Sequence, residues 1–418
     1  MTDPGNVKRY RGWLPREERG SVAIQIGIMM IAILGFLALG IEITYLLLKQ
    51  REMQSAADSA AMAGATAMSF GFPTDFRMEA KAVASASGFT DGVDETTVTV
   101  NSPPLSGPNA GNASAVEVIV RQPQQLSLIR LYRSGLFNVG ARAAAVVQPA
   151  YMYCILSLES SAPRAVYLNN NVVAANSSCG VAVNSSSSSA LALWNNAVID
   201  GPVRVHGDWS LNNNAQLNGT PTLNRAPIIP DPYADVSLQP IPACTSQSGV
   251  VSGSVAVTLN PGRFCNGFNI SNGATVNLRP GAYYIDKQFV ALNTATINGM
   301  GGVTLVITGN YAINWGNMMR LNIIAPSTGP YAGIAMFGNR AAPNSIEQVF
   351  SNNTYLNVQG VLYFPNQALR FDNNGITGPS QCAQIVARVI QIFNNVALNN
   401  NCVGTGVRPI GSLSKLVE

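Results

Sequence analysis

The chain has 418 residues, of which only 11% are charged, and a net charge of +4 at pH 7. That length accommodates two or three domains. No basic block occurs beyond the N-terminal tail, which argues against nucleic-acid binding, and no close cysteine pair of the CxxC kind is present to suggest zinc.

Residues 1–20 form a basic tail, with Lys8, Arg9, Arg11, Arg16 and Arg19 against Asp3, Glu17 and Glu18. Residues 22–48 follow as an apolar run whose single charge is Glu42. About 20 apolar residues cross the hydrocarbon of a bilayer, so residues 21–48 are expected to span as one helix. A cleaved secretory signal has a core of only about 7–15 residues and a small-residue cleavage site. Here Lys49, Gln50, Arg51 and Glu52 follow instead. Basic residues favour the cytoplasmic side. The expected arrangement is a single-pass inner-membrane anchor, with a cytoplasmic N-terminus and residues 49–418 periplasmic or extracellular. A carboxyl in a membrane helix tends to find a partner. Glu42 either pairs with a partner helix or an N-terminal amine, or sits at the outer headgroups.

Residues 49–68 are Ala-rich and should continue the anchor as helix. Their small residues, Ala56, Ala57, Ala60, Ala61, Ala63 and Gly64, suit close packing, either on the chain's own domain or on partner helices. Residues 69–150 read as a small α+β domain. A helix is expected over 75–87 and strands over 96–102 and 115–122, joined by a Pro/Gly/Asn-rich turn. A helix with proline in its first turn is expected over 123–134, then a strand over 137–148.

Residues 19–65 resemble the N-terminal region of the TadG-like and TadE-like proteins of the tight-adherence (Flp) pilus assembly system. The matching features are Arg19-Gly20-Ser21 before the apolar run, Glu42 in its second half, Tyr45, and the Ala-rich pattern from Gln54 to Ala65. The resemblance implies a role in pilus assembly, adhesion or surface colonisation, with other proteins of that system as partners through the membrane helix. It also suggests prepilin-type processing between Gly20 and Ser21. Such precursors usually carry Glu five residues after the glycine, where this chain has Gln25, so an unprocessed anchor is expected. TadG-like proteins often carry a von Willebrand A domain with an Asp-x-Ser-x-Ser metal motif. Residues 155–163 hold Glu159-Ser160-Ser161 without that motif.

Residues 151–411 change character. They are rich in Asn, Gly and Ser, with short apolar strands and paired asparagines recurring at steps near 21 residues. Recurrence at that length marks a solenoid. The expected fold is mainly β, a right-handed parallel β-helix of roughly twelve coils, with a β-sandwich as the alternative. Asn at tight turns tolerates left-handed backbone angles and stacks in ladders between coils. The Pro-rich stretch 225–242 interrupts the repeat and should pack across the solenoid as a loop. Residues 412–418 are expected to be a C-terminal tail. All six cysteines lie after residue 150. An even count in an exported segment reads as disulfides, and Cys154–Cys179, Cys244–Cys265 and Cys382–Cys402 are the simplest of 15 pairings.

Polysaccharide-cleaving β-helices need clustered carboxylates. The acids after residue 150 contain no DD, DxD or ExE pair, and Asp200 with Asp372 is the example of a pair that only the fold could assemble. His206, near Asp208 and Trp209, lacks a neighbouring Ser or Cys nucleophile and suits a turn or surface role. Trp194, Trp209 and Trp315 suit burial better than a sugar-stacking face. No phosphate loop, GxSxG elbow or HExxH occurs. The expectation is therefore a non-enzymatic structural or interaction protein without cofactor or metal, with surface or polysaccharide ligands among its partners. A membrane-tethered carbohydrate-binding or carbohydrate-cleaving β-helix is the alternative.

Overall fold

The computed structural model describes residues 19–69, 76–126, 137–150, 153–170, 172–174, 179–351, 353–372, 382–393, 398 and 401–418, without the side chains of 19–24, 149, 173 and 174. Residues 1–18 of the basic tail lie outside the described residues, and residues 19 and 20 begin the first helix. The fold is mainly β, with one long apolar N-terminal helix and a β-solenoid of about 10 turns.

Helix α1, Arg19–Ser69, has 51 residues. At 1.5 Å per residue it is roughly 76 Å long, more than twice a hydrocarbon core. Its first part is long and apolar enough to cross a membrane, and Ile26 to Leu48 present their large apolar side chains outward. The Ala-rich continuation is unbroken, and there the surface inverts: Met53, Ala56, Ala57, Ala60, Ala61 and Ala65 are buried. They pack with helix α2, Phe76–Ala86, on one face of an antiparallel sheet. Its strands are β1 (Thr97–Asn101), β2 (Ala115–Gln124) and β3 (Phe137–Pro149), and Val98, Val116, Val118, Val120, Ala143 and Ala145 face the helices.

Two expectations change here. Pro123 and Gln124 belong to β2, paired with Asn138 and Phe137, rather than starting a helix. The partner strand pairs along the whole length of β2, and that outweighs a local N-terminal proline signal. Residues 125 and 126 form neither helix nor strand, and 127–134 of that expected helix lie outside the described residues. Residues 412–418 are not a loose tail. Ser412–Leu416 is the fourth strand of the small sheet, antiparallel to β3, with Leu413 opposite Gln148. The whole solenoid is thus inserted between two neighbouring strands of this sheet.

The solenoid has three faces. The first stacks Gly262–Phe264, Gly281–Ile285, Val303–Ile307 and Ile334–Gly338. The second stacks Val250–Ser252, Phe268–Ser271, Phe289–Ala291, Asn314–Trp315 and Glu347–Phe350. The third stacks Ala256–Leu259, Thr275–Leu278, Thr296–Gly299, Arg320–Ile324 and residues 355–359. All these pairings are parallel. Asn170, Asn195, Asn213, Asn272, Asn293 and Asn317 turn the corners with φ between 52° and 62°, a region asparagine tolerates better than other side chains. Inside, Phe264, Phe268, Phe289, Trp315, Phe350 and Phe371 form a column with ring centroids 4.8–5.3 Å apart. Edge-to-face and offset pairs at such distances add to simple burial.

The coils do not run in sequence order. The chain enters at Tyr153–Ser157 and winds outward to Thr222–Leu223. It then crosses the full length of the first face and winds back from Val250 to Ala383–Phe393. That last strand pairs in parallel with the first coil, through Ile385 with Ile155 and Ile390 with Val166. The crossing segment is the Pro-rich stretch, which packs across the solenoid as expected. Prolines 227, 230, 232, 240 and 242 supply no backbone N–H, so it cannot join a ladder. Its Ile229, Tyr233 and Val236 instead cover Ala182, Tyr284, Val306, Phe337 and Tyr363. This explains why strands of the first face, such as Val303–Ile307 and Ile334–Gly338, are buried on both sides. The count of about 10 turns rather than twelve follows, because the crossing and the return after Cys402 consume chain without adding coils.

Candidate functional site

Cys154–Cys179, Cys244–Cys265 and Cys382–Cys402 are disulfide-bonded. The first ties adjacent coils of the entering stack. The second fastens the far end of the crossing segment, next to the Cys244–Arg263 bridge. The third holds the return towards the small sheet.

Along the anchor, Gly20 and Ser21 fall in the first helical turns and Gln25 is exposed. Glu42 is half-buried. One turn on, the Tyr45 hydroxyl donates to Gln124 Oε1 at 3.0 Å, so the end of β2 touches the helix where its apolar run ends. The small residues after it are consumed within the chain. A Cβ on Gly64 would lie 3.1 Å from Val116, and Ala56, Ala57, Ala60 and Ala61 are buried under the sheet, with Ala63 half-buried. Of the two packing roles open to them, the intramolecular one is occupied.

The small sheet and the solenoid exit are locked by charge. Arg142 pairs with Glu117 at 2.6 Å and also with Glu418, the last residue. Burial pushes the Glu117 carboxyl up, but hydrogen bonds from Asn101, Arg142, the Leu105 N–H and Ser106 outweigh it and hold the carboxyl at about 2. The crossing segment is clamped similarly. Tyr363 donates to Asp231 at 2.7 Å, Arg340 pairs with Asp231 at 3.1 Å, and Arg408 pairs with Asp235. The Arg408 N–H donates to the Tyr233 hydroxyl at 2.9 Å.

The acids considered for chemistry are dispersed. Asp200 accepts from Asn218 at 3.0 Å, while Asp372 pairs with Arg370 at 2.9 Å on another coil. Glu159 pairs with Arg388 and Asp286 with Arg263. Asp208 accepts from the Trp209 N–H and from Asn224, which hold its carboxyl below the ordinary range. Among the described residues no group of three or more His, Cys, Asp or Glu could hold a metal ion. His206 Nδ1 lies 2.8 Å from the Ala226 carbonyl, at the corner where the crossing segment departs. The three tryptophans all lie on strands of the second face but do not share one surface of it. Trp315 is in the core column and Trp209 packs against the core at the last coil of its stack. Trp194 sits outside, edge-on to Tyr167 at 5.6 Å and beneath Arg164.

What the fold does assemble is a set of amide ladders. At one corner Asn293 donates to Asn272 at 3.1 Å and Asn317 to Asn293 at 2.9 Å. At the same corner of the other stack Asn213 donates to Asn195 and Asn195 to Asn169. A further ladder lies on the third face, where Asn298 donates to Asn277 at 3.0 Å and Asn322 to Asn298 at 2.8 Å. The corner asparagines of the entering stack, Asn169, Asn195 and Asn213, were legible from recurring pairs; the single asparagines at 272, 293 and 317 and those of the third-face ladder were not.

Residues 20–67 match a family model described as Putative Flp pilus-assembly TadE/G-like. The matched stretch covers the apolar run of α1 and its Ala-rich continuation. No curated protein and no solved structure matches the chain. The chain thus carries a Tad-type N-terminal segment on a helix of membrane-spanning length, the marks of a membrane-associated protein related to Flp pilus assembly.

Proposed function

We propose that the protein is a single-pass component of the tight-adherence pilus system that displays a solenoid outside the inner membrane and works through interaction rather than catalysis. The observation that carries this is the Tad-type match on a helix that passes without a break from an exposed apolar stretch into the core of a folded domain. A solenoid on such a helix is coupled mechanically to whatever the membrane segment binds. The basic residues of the tail favour a cytoplasmic N-terminus, and three disulfides suit an oxidising compartment. Solenoid acids that hold arginines, asparagines or backbone N–H groups support a binding role. Gln25, where prepilin substrates carry Glu, supports an anchor left uncleaved at Gly20.

Deletion of the gene is expected to abolish or sharply reduce Flp pili on the cell surface, restored by the full-length chain; normal piliation would overturn the proposal. Single cysteines at exposed positions of the solenoid should react with a membrane-impermeant maleimide in intact spheroplasts, and failure to react would reverse the orientation. The intact mass of the purified protein should include residues 1–20.

A further inference from the structure

The three solenoid faces differ in what lies on them. The crossing segment occupies the first. The second carries the Tyr167–Trp194–Phe393 cluster among mixed side chains. The third is uncovered, and on the stack from 256 to 359 its outward positions form two straight rows. One runs Ala256, Thr275, Thr296, Arg320, Tyr355; the other runs Thr258, Asn277, Asn298, Asn322, Asn357. All are exposed or half-exposed, while Val257, Val276, Ile297, Leu321 and Leu356 between them point into the core. Apart from Arg320, which lies 5.4 Å from the Tyr355 ring centre, neither row contains a charge.

Each step along these rows is one inter-strand spacing, about 4.8 Å. Asn298 uses one N–H and one carbonyl lone pair within the ladder, which leaves one donor and one acceptor for something outside it. The neighbouring threonines add hydroxyls at the same interval. This is a one-dimensional array of alternating donors and acceptors, with Arg320 its one charge, ending on an aromatic ring. An extended chain of pyranose rings advances by a similar distance per ring and offers hydroxyl and acetamido groups at each. Building on the interaction role proposed above, we propose that the third face binds a neutral, extended β-1,4-linked glycan laid along the solenoid axis, with Tyr355 stacking on one sugar. The lack of carboxylates in either row fits holding a chain rather than cleaving it.

The test uses the full-length protein in lipid nanodiscs, with chitohexaose as probe and heparin as charged control, read by titration calorimetry. Saturable chitohexaose binding is expected, unchanged between low and high salt because charge contributes little. Thr296→Arg, which keeps the asparagine ladder, should weaken it roughly tenfold or more. Ser210→Arg on the second face should leave it intact, and equal melting temperatures will show that both variants fold. Absence of chitohexaose binding, binding insensitive to Thr296→Arg, or a preference for heparin would each overturn the inference. So would self-association through this face without glycan binding. A piliation defect on gene deletion that persists without chitohexaose binding would remove the glycan and leave the pilus role standing.

Discussion

Ile385, in the last coil of the chain, lies directly beside Ile155, in the first. Through this pair and its neighbours two stacks wound in separate parts of the sequence share one hydrophobic core. The chain therefore both enters and leaves the solenoid part-way along its length. There the Ala150 N–H donates to the Gly411 carbonyl and the Tyr153 N–H to the Ile410 carbonyl. The solenoid is held like a crossbar on the small sheet, with two free ends.

If the joint is cohesive, truncating it should destabilise both stacks together. Ile385→Ala removes a fully buried side chain and is expected to cost about 2–5 kcal/mol. Urea denaturation followed by tryptophan fluorescence should keep a single transition at lower midpoint, because Trp209 and Trp315 report on opposite sides of the joint. Two separated transitions would mean that the stacks fold independently.

The crossing segment should detach locally before the solenoid unfolds. Tyr233→Ala, at a fully buried ring, is expected to cost about 3 kcal/mol or more and to expose residues 226–243 to limited proteolysis while the coils stay resistant. Tyr233→Phe loses only the hydroxyl that accepts from the Arg408 N–H, about 1 kcal/mol. Fragment masses after brief digestion distinguish the two.

Enlarging the Ala-rich face of α1 should damage the chain's own domain. Ala60→Leu overpacks a fully buried site and is expected to cost about 1–3 kcal/mol, seen as a lower melting temperature of the isolated protein in detergent. An unchanged melting temperature with lost pilus assembly would move that face to a partner instead.

Acid should loosen the small sheet through Glu117. Its folded carboxyl is held near 2, below its unfolded value of 4.5. The carboxylate therefore stabilises the fold fully above the unfolded value, and that contribution, of order 3 kcal/mol, is lost as pH falls towards 2. Glu117→Gln is expected to lower stability at neutral pH and to flatten the acid limb of a pH–stability curve between 5 and 2.

The anchor, the β-solenoid and the strap-like role of the Pro-rich stretch were readable because each rests on local pattern: an apolar run, recurrent asparagines, prolines that refuse a ladder. The joint of Ile385 on Ile155 and the place of Ser412–Leu416 beside β3 were not. Apolar alternation in a strand says that it pairs, but not with which distant edge. The same limit applies to the third face. Asn277, Asn298 and Asn322 are single residues in unremarkable strands, and only the register makes them a row. Asp200 and Asp372, distant in sequence, take different partners on different coils.

The insertion of the solenoid between β3 and Ser412–Leu416 also governs the order in which the molecule can form. Synthesis from the N-terminus delivers β3 and Tyr153–Ser157 early, yet the strand that covers each comes from the last part to be made. Until residues 383–416 are in place, one coil edge and one sheet edge stand open, each a template for mispairing. Closure waits for the whole polypeptide, so contacts between its extremes make folding slow and place the final steps after synthesis has ended. A chain cut short before Cys382 would carry every disulfide but the last, and two unsealed edges.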